Sequence, residues 1–189
     1  DEIYAKLIYD NSKFISIAQV SKEAKEHTIV VNGVSKAFAM TGWRIGYAAG
    51  PKEIIAAMTK MQSQSTSCPS SISLKAATEA LNGDKACLET MRKEFEKRRN
   101  YIVDRLNKID GITCLKPEGA FYVFPNISNL LKKTYNGKLI NTDIERADYL
   151  LDEAKIAVVP GSAFGAKGFI RFSYATSMET ITTGLDRIE

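Results

Sequence analysis

Apolar residues recur along this chain with two different periods, and the changes of period mark out its elements. Thr28-Ile29-Val30-Val31 is a β-branched run bounded by Asn32-Gly33, which predicts a buried strand ending in a turn. Ile54, Ile55, Met58 and Met61 then fall at helical spacing and predict a helix over 52–61. The polar stretch Ser63 to Ser70 reads as a surface loop, and 72–81 as a second helix. Leu88, Met91, Phe95, Ile102 and Leu106 form one stripe of a long third helix that Gly111 stops. Shorter elements follow, with strands over 113–115, 120–124 and 156–159. Thr142…Glu145 is a capping-box pattern opening a helix. Gly168 to Tyr174 alternates like a half-buried strand, with Phe169, Arg171 and Ser173 on one face. Thr176…Glu179 opens a last helix whose stripe is Met178, Ile181, Leu185 and Ile188.

Composition narrows the class of protein. At 189 residues, 44% hydrophobic and 25% charged, the chain can bury a sizeable core and is of one- or two-domain size. Net charge is +4, yet bases and acids are interspersed, as in Arg92-Lys93-Glu94-Phe95-Glu96-Lys97-Arg98-Arg99. That run reads as a solvated helix face and not as a nucleic-acid patch. No apolar run is long enough to cross a bilayer, and residue 1 opens neither a signal nor a transit peptide. A soluble protein with no membrane or nucleic-acid partner is expected, with the cytoplasm as its default compartment. Cys68, Cys87 and Cys114 lack paired or metal-like spacing and are expected to be free thiols. With His27 as the only histidine, a zinc cluster is not indicated, and a Ser/His/Asp triad would rest on that single residue.

The chemistry concentrates in Asn32-Gly33-Val34-Ser35-Lys36-Ala37-Phe38-Ala39-Met40-Thr41-Gly42-Trp43-Arg44. Lys36 follows the first strand, where α/β folds put ligands. A lysine that forms a Schiff base must lose its proton, and desolvation and a nearby fixed cation both favour the neutral amine. Arg44 is a candidate for that cation, and its planar guanidinium also suits a bidentate grip on phosphate. Arg171, flanked by aromatics in a strand after the Pro160-Gly161 turn, could fork onto a carboxylate in the same way.

The Lys36 segment, continued through Ile45-Gly46-Tyr47 and Gly50-Pro51, resembles the signature of the class I aminotransferases. The resemblance implies an α/β fold of the fold-type-I pyridoxal phosphate transferases, present as a remnant of the large cofactor-binding domain over 1–90. A smaller α+β domain over 91–189 follows it, with the boundary inside the long helix. It implies pyridoxal 5'-phosphate as cofactor, Lys36 as the Schiff-base lysine that later shuttles protons at the substrate's α carbon, and Arg44 as phosphate ligand. Asp1 matches the carboxylate partner of the pyridine nitrogen, which lets the ring absorb an electron pair. Tyr4 matches the phenol that donates to the ring oxygen, and Arg171 the clamp on the substrate's α-carboxylate. Many members carry a hydroxyl residue three places before the lysine, where Gly33 stands here; Ser35 is the available substitute, although neighbours on an extended strand point to opposite faces.

Asp1 is a site position by this resemblance and also the first residue. The chain thus corresponds to about the latter half of the family and lacks its phosphate-gripping loop and ring-stacking side chain, so an inactive fragment is expected. For the intact enzyme the resemblance implies amino transfer between an amino acid and a 2-oxo acid, in a homodimer, with the Ser63–Ser70 region near the interface. The wording Ala39-Met40-Thr41-Gly42-Trp43-Arg44 with Val158-Val159-Pro160-Gly161 looks most like the bacterial aspartate aminotransferase branch, with 2-oxoglutarate as acceptor. A carbon–sulfur lyase, a kynurenine-type aminotransferase or a related synthase would share the same cofactor residues. An aminotransferase-like sensor domain of a transcription regulator is the non-enzymatic alternative.

Overall fold

A computed structural model describes all residues from 1 to 189. The chain divides into two compact units, Asp1–Arg92 and Lys93–Glu189.

The first unit is built around a two-stranded antiparallel ladder. Strand β1 (Val30–Gly33) pairs with β2 (Gly46–Ala49), with Asn32 opposite Tyr47 and Gly33 opposite Gly46. The sequence places this strand at 28–31; the ladder starts two residues later because Thr28 is drawn back to the preceding helix α1 (Lys22–Glu26), its hydroxyl donating to the Ala24 carbonyl at 2.6 Å. Helices α2 (Lys52–Ser65) and α3 (Ser71–Asn82) follow. Helix α2 runs through Ser63, Gln64 and Ser65, which composition assigns to a loop. Ser63 and Ser65 donate their hydroxyls to the carbonyls of Lys60 and Gln62, so these polar side chains are satisfied on the helix itself. Val34, Ile45 and Ala77 form a small core with Phe38 and Met40 against it. The apolar stripes of α2 and α3 remain open, with Met61 at 74% and Ile72 at 73% exposure.

Helix α4 (Ala86–Leu106) ends before the predicted stop at Gly111. Lys108 and Ile109 make turn bonds to Arg105 and Leu106, and Gly111 takes a left-handed φ of 84° in the turn beyond. The basic run on α4 is not uniformly solvated. Arg99 is fully buried, donating from Nη1 to the Pro117 carbonyl at 2.9 Å and from Nη2 to Glu96 at 3.4 Å. A cation with these oxygens in reach can leave water, which the alternation of charges in sequence does not reveal.

The second unit holds an antiparallel sheet in the order β3 (Tyr122–Val123), β7 (Ile170–Ser173), β6 (Val159–Pro160). Its strands are shorter than the predicted 120–124 and 156–159, and Thr113 makes only an isolated bridge to Asn126 in place of a strand over 113–115. A hairpin of β4 (Lys133–Tyr135) and β5 (Lys138–Ile140) lies apart from that sheet. Helix α5 (Asp143–Asp152) opens with the predicted capping box, Thr142 and Glu145 each bonding the other's backbone N–H. Helix α6 (Met178–Asp186) is capped by Ser177 and not by Thr176; the Ser177 hydroxyl accepts from Thr180 N at 3.1 Å. Leu106, Ile127, Ile170, Tyr174, Ile181 and Leu185 fill the core, each worth about 1.5–3 kcal/mol of burial for an aliphatic side chain. The Tyr174 hydroxyl stays satisfied there, donating to the Ala120 carbonyl at 3.0 Å.

Candidate active site

The β1–β2 ladder fixes where Lys36 and Arg44 emerge. With Gly33 paired to Gly46, the chain between them is the connection that closes one end of the hairpin; Lys36 stands three residues into it and Arg44 two residues before its close. Val34 and Ile45, the residues next to the glycine pair, are buried and pin both limbs of the connection. Phe38 N donates to Val34 O and Ala39 N to Lys36 O, folding 34–39 into a tight turn on which Lys36 is half-buried. A short 3-10 turn over Thr41–Trp43 leads into Arg44. Ala39 and Arg44 both have left-handed backbones, with φ of 53° and 55°. For residues with a Cβ this is a strained conformation, on the order of 1 kcal/mol each, held here by the buried limbs. The Arg44 guanidinium is exposed and donates to the Thr41 carbonyl at 2.8 Å, which leaves its outer N–H groups for a ligand.

Asp1 and Tyr4 are brought to the same ladder. Glu2 N donates to Val31 O at 2.8 Å, so the first residues run along β1. Asp1 is exposed, and its Oδ1 accepts from Ile3 N at 3.0 Å; Tyr4 is half-buried in the following turn. Ile3 lies over Gly33: a Cβ on that glycine would sit 2.9 Å from the Ile45 carbonyl oxygen and 3.1 Å from Ile3 Cδ1. There is no room for the hydroxyl residue that the family pattern often has at this place. Ser35 is half-buried. The strand ends at Gly33, so Ser35 belongs to the turn, and the alternation of strand faces does not govern its direction.

Arg171 belongs to the second unit, at the centre of β7 opposite Val159. Its neighbours Ile170 and Phe172 point into the core, which turns Arg171 to the other face. The guanidinium carbon lies 4.5 Å from the Tyr122 ring centre and 4.6 Å from that of Phe164. Two aromatic rings therefore pack against the guanidinium, and its N–H groups are what would meet a carboxylate. Tyr122 was within reach of sequence reasoning, since it alternates with Phe124 in the 120–124 pattern. Phe164 gave no periodic signal; it ends a 3-10 turn over Gly161–Phe164.

The sequence pattern of the family described as aminotransferase class I and II matches residues 1–188. The aspartate aminotransferase of Rhizobium meliloti (strain 1021) is 51% identical over 189 residues, covering 100% of this chain and 46% of the relative. That of Geobacillus stearothermophilus is 51% identical over 188 residues, covering 100% of this chain and 47% of the relative. The crystal structure of the Rhizobium meliloti aspartate aminotransferase superposes with a TM-score of 0.95 at 51% identity, over 100% of this chain and 47% of that one. The chain spans about half the length of the curated relatives it matches.

Proposed function

Because this chain belongs to the aminotransferase class I and II family, we propose that it supplies the lysine and part of the cofactor and substrate contacts of a pyridoxal phosphate-dependent aminotransferase. The donor and its acceptor are an amino acid and a 2-oxo acid, with aspartate and 2-oxoglutarate as the pair. The observation that carries the reading is the β1–β2 connection, where one half-buried lysine and one arginine with open N–H groups share the end of a two-stranded ladder.

The residues present fit the cofactor by their chemistry. A primary amine at Lys36 suits an aldehyde, and the guanidinium of Arg44 suits a phosphate dianion. A carboxylate at Asp1 suits a protonated ring nitrogen, and the phenol of Tyr4 suits a ring oxygen. The hydroxyl of Ser35 is available as a further phosphate donor, while Gly33 contributes none. When bound, pyridoxal phosphate supplies the carbonyl for amino exchange and an electron-withdrawing ring for the pair released at the substrate's α carbon. With the cofactor bound, the Lys36 amine would act as the base that takes the proton from that α carbon and, as the ammonium so formed, as the acid that gives it back to the substrate–cofactor carbon skeleton. Arg171 holds the substrate's α-carboxylate through its N–H groups, with Tyr122 and Phe164 packed against the guanidinium.

A homodimer fits the open apolar stripes of α2 and α3, which include Ile54, Met58, Met61 and Ile72. No helix is long and apolar enough to cross a membrane. A cytoplasmic setting fits the three free cysteines.

The test is absorption spectroscopy of the chain with pyridoxal phosphate, borohydride reduction, and peptide mapping of the labelled lysine. Labelling concentrated at Lys36 is expected. Labelling spread over the surface lysines, with Lys36 no more reactive than the rest, overturns the assignment.

A further inference from the structure

We propose that Asp143 is a positioning residue for Arg171, acting through Ser162 and Phe164; the role rests on the reading above that Arg171 takes the substrate carboxylate. Of the two rings packed against the guanidinium, Tyr122 is fixed by strand pairing, opposite Ser173 on β7. Phe164 has no such support. It is half exposed and stands at the end of a four-residue 3-10 turn, Gly161–Phe164.

Two anchors hold that turn. At its first residue, Gly161 N donates to the Phe169 carbonyl at 2.7 Å, an approach close enough that a Cβ on Gly161 would lie 2.7 Å from the same oxygen. At its second residue both carboxylate oxygens of Asp143 are engaged. Ser162 N donates to Oδ2 at 2.6 Å and the Ser162 hydroxyl donates to Oδ1 at 2.7 Å. Asp143 is buried, and it stands in the first turn of α5, where the helix N-terminus favours a negative charge. Its carboxylate thus ties the start of α5 to a turn 19 residues later, and two residues beyond that tie Phe164 meets Arg171. Phe164 also packs edge-on to Phe124, with ring centres 6.0 Å apart, so the ring is held from the side once the turn is set. Loss of the Asp143 tie frees the turn at its middle and removes one of the two rings packed against the guanidinium.

Nuclear magnetic resonance of the 189-residue chain provides the readout. The Arg171 guanidinium lies over two aromatic rings, so its side-chain protons should be shifted upfield by ring currents. Asp143→Asn keeps the shape of the side chain but replaces one acceptor by a donor facing the Ser162 donors. We expect the Arg171 shift to collapse by half or more and the Kd for propionate to rise about fivefold, with the core methyl signals unchanged. Phe164→Leu should give the same two effects, and the double variant no more than either single one, because both act through one contact. Ser162→Ala, which removes only the hydroxyl bond, gives a smaller change in the same direction and stands in if Asp143→Asn does not fold. A lower Tm with Arg171 signals and propionate affinity unchanged in Asp143→Asn and Ser162→Ala would overturn the proposal and leave Asp143 a structural residue. Failure of propionate to perturb Arg171 in the unaltered chain would instead overturn the carboxylate reading itself, and the positioning role with it.

Discussion

Gly33 and Gly46 face each other as the last pair of the β1–β2 ladder, and the connection carrying Lys36 and Arg44 opens directly from them. The space above Gly33 is taken by the Ile45 carbonyl and by Ile3. Restoring the hydroxyl residue of the family pattern with Gly33→Ser should therefore cost about 1–3 kcal/mol by overpacking. A lower urea midpoint with an unchanged m-value is expected; a midpoint equal to the parent's would mean that the site has room after all.

Arg171→Lys keeps the charge and gives up the planar fork that packs on Tyr122 and Phe164. Carboxylate binding should weaken about 10- to 100-fold, the range for losing a hydrogen bond to a charged group. Titration with propionate measures it, and affinity within twofold of the parent would contradict a clamp at this residue.

Asp143 sets an acid limit on stability. Burial alone would push its carboxyl up, but the N–H and hydroxyl of Ser162 hold it below its usual range. A depressed folded-state pKa gives a contribution that is full above the unfolded value of about 3.9 and is lost as pH falls through the lower folded value. Asp143→Asn should thus be less stable than the parent at neutral pH, with the gap narrowing below about pH 4. Urea melts across that range check it; a gap constant down to acid pH would contradict the linkage.

The three thiols should divide by reactivity. Burial pushes the Cys114 thiol up to about 11, whereas Cys68 and Cys87 are exposed. With a disulfide reagent at mildly alkaline pH, Cys68 and Cys87 should react quickly and Cys114 only on unfolding. Because the shift is upward, whatever stability the neutral Cys114 thiol contributes is full below the ordinary thiol value and is lost as pH rises through about 11. Equal rates for all three thiols in the folded chain would contradict this.

Short-range rules carried furthest in reading the sequence. The Thr142 and Glu145 box and the stripe of α4 depend on neighbours three and four residues away, and both are found as expected. Where two hydroxyls compete for one cap, spacing alone misleads: Ser177 takes the role read for Thr176 because its own oxygen reaches Thr180 N. Features that depend on distant partners were illegible. Nothing local tells that Arg99 has the Pro117 carbonyl waiting 18 residues on, or that Asp143 reaches Ser162. The candidate residues divide in the same way. Lys36 and Arg44 are marked by a contiguous segment, whereas the rings around Arg171 come from a separate strand and from a turn that no periodicity announces.

The left-handed backbones at Ala39 and Arg44 bear on any attempt to graft this loop elsewhere. Transplanting the side chains of Lys36 and Arg44 onto another hairpin would move the amine and the guanidinium without their aim. A working graft has to copy the two sign reversals in φ and the buried Val34 and Ile45 that clamp each limb, since those, more than the choice of lysine and arginine, decide where the amine and the guanidinium end up.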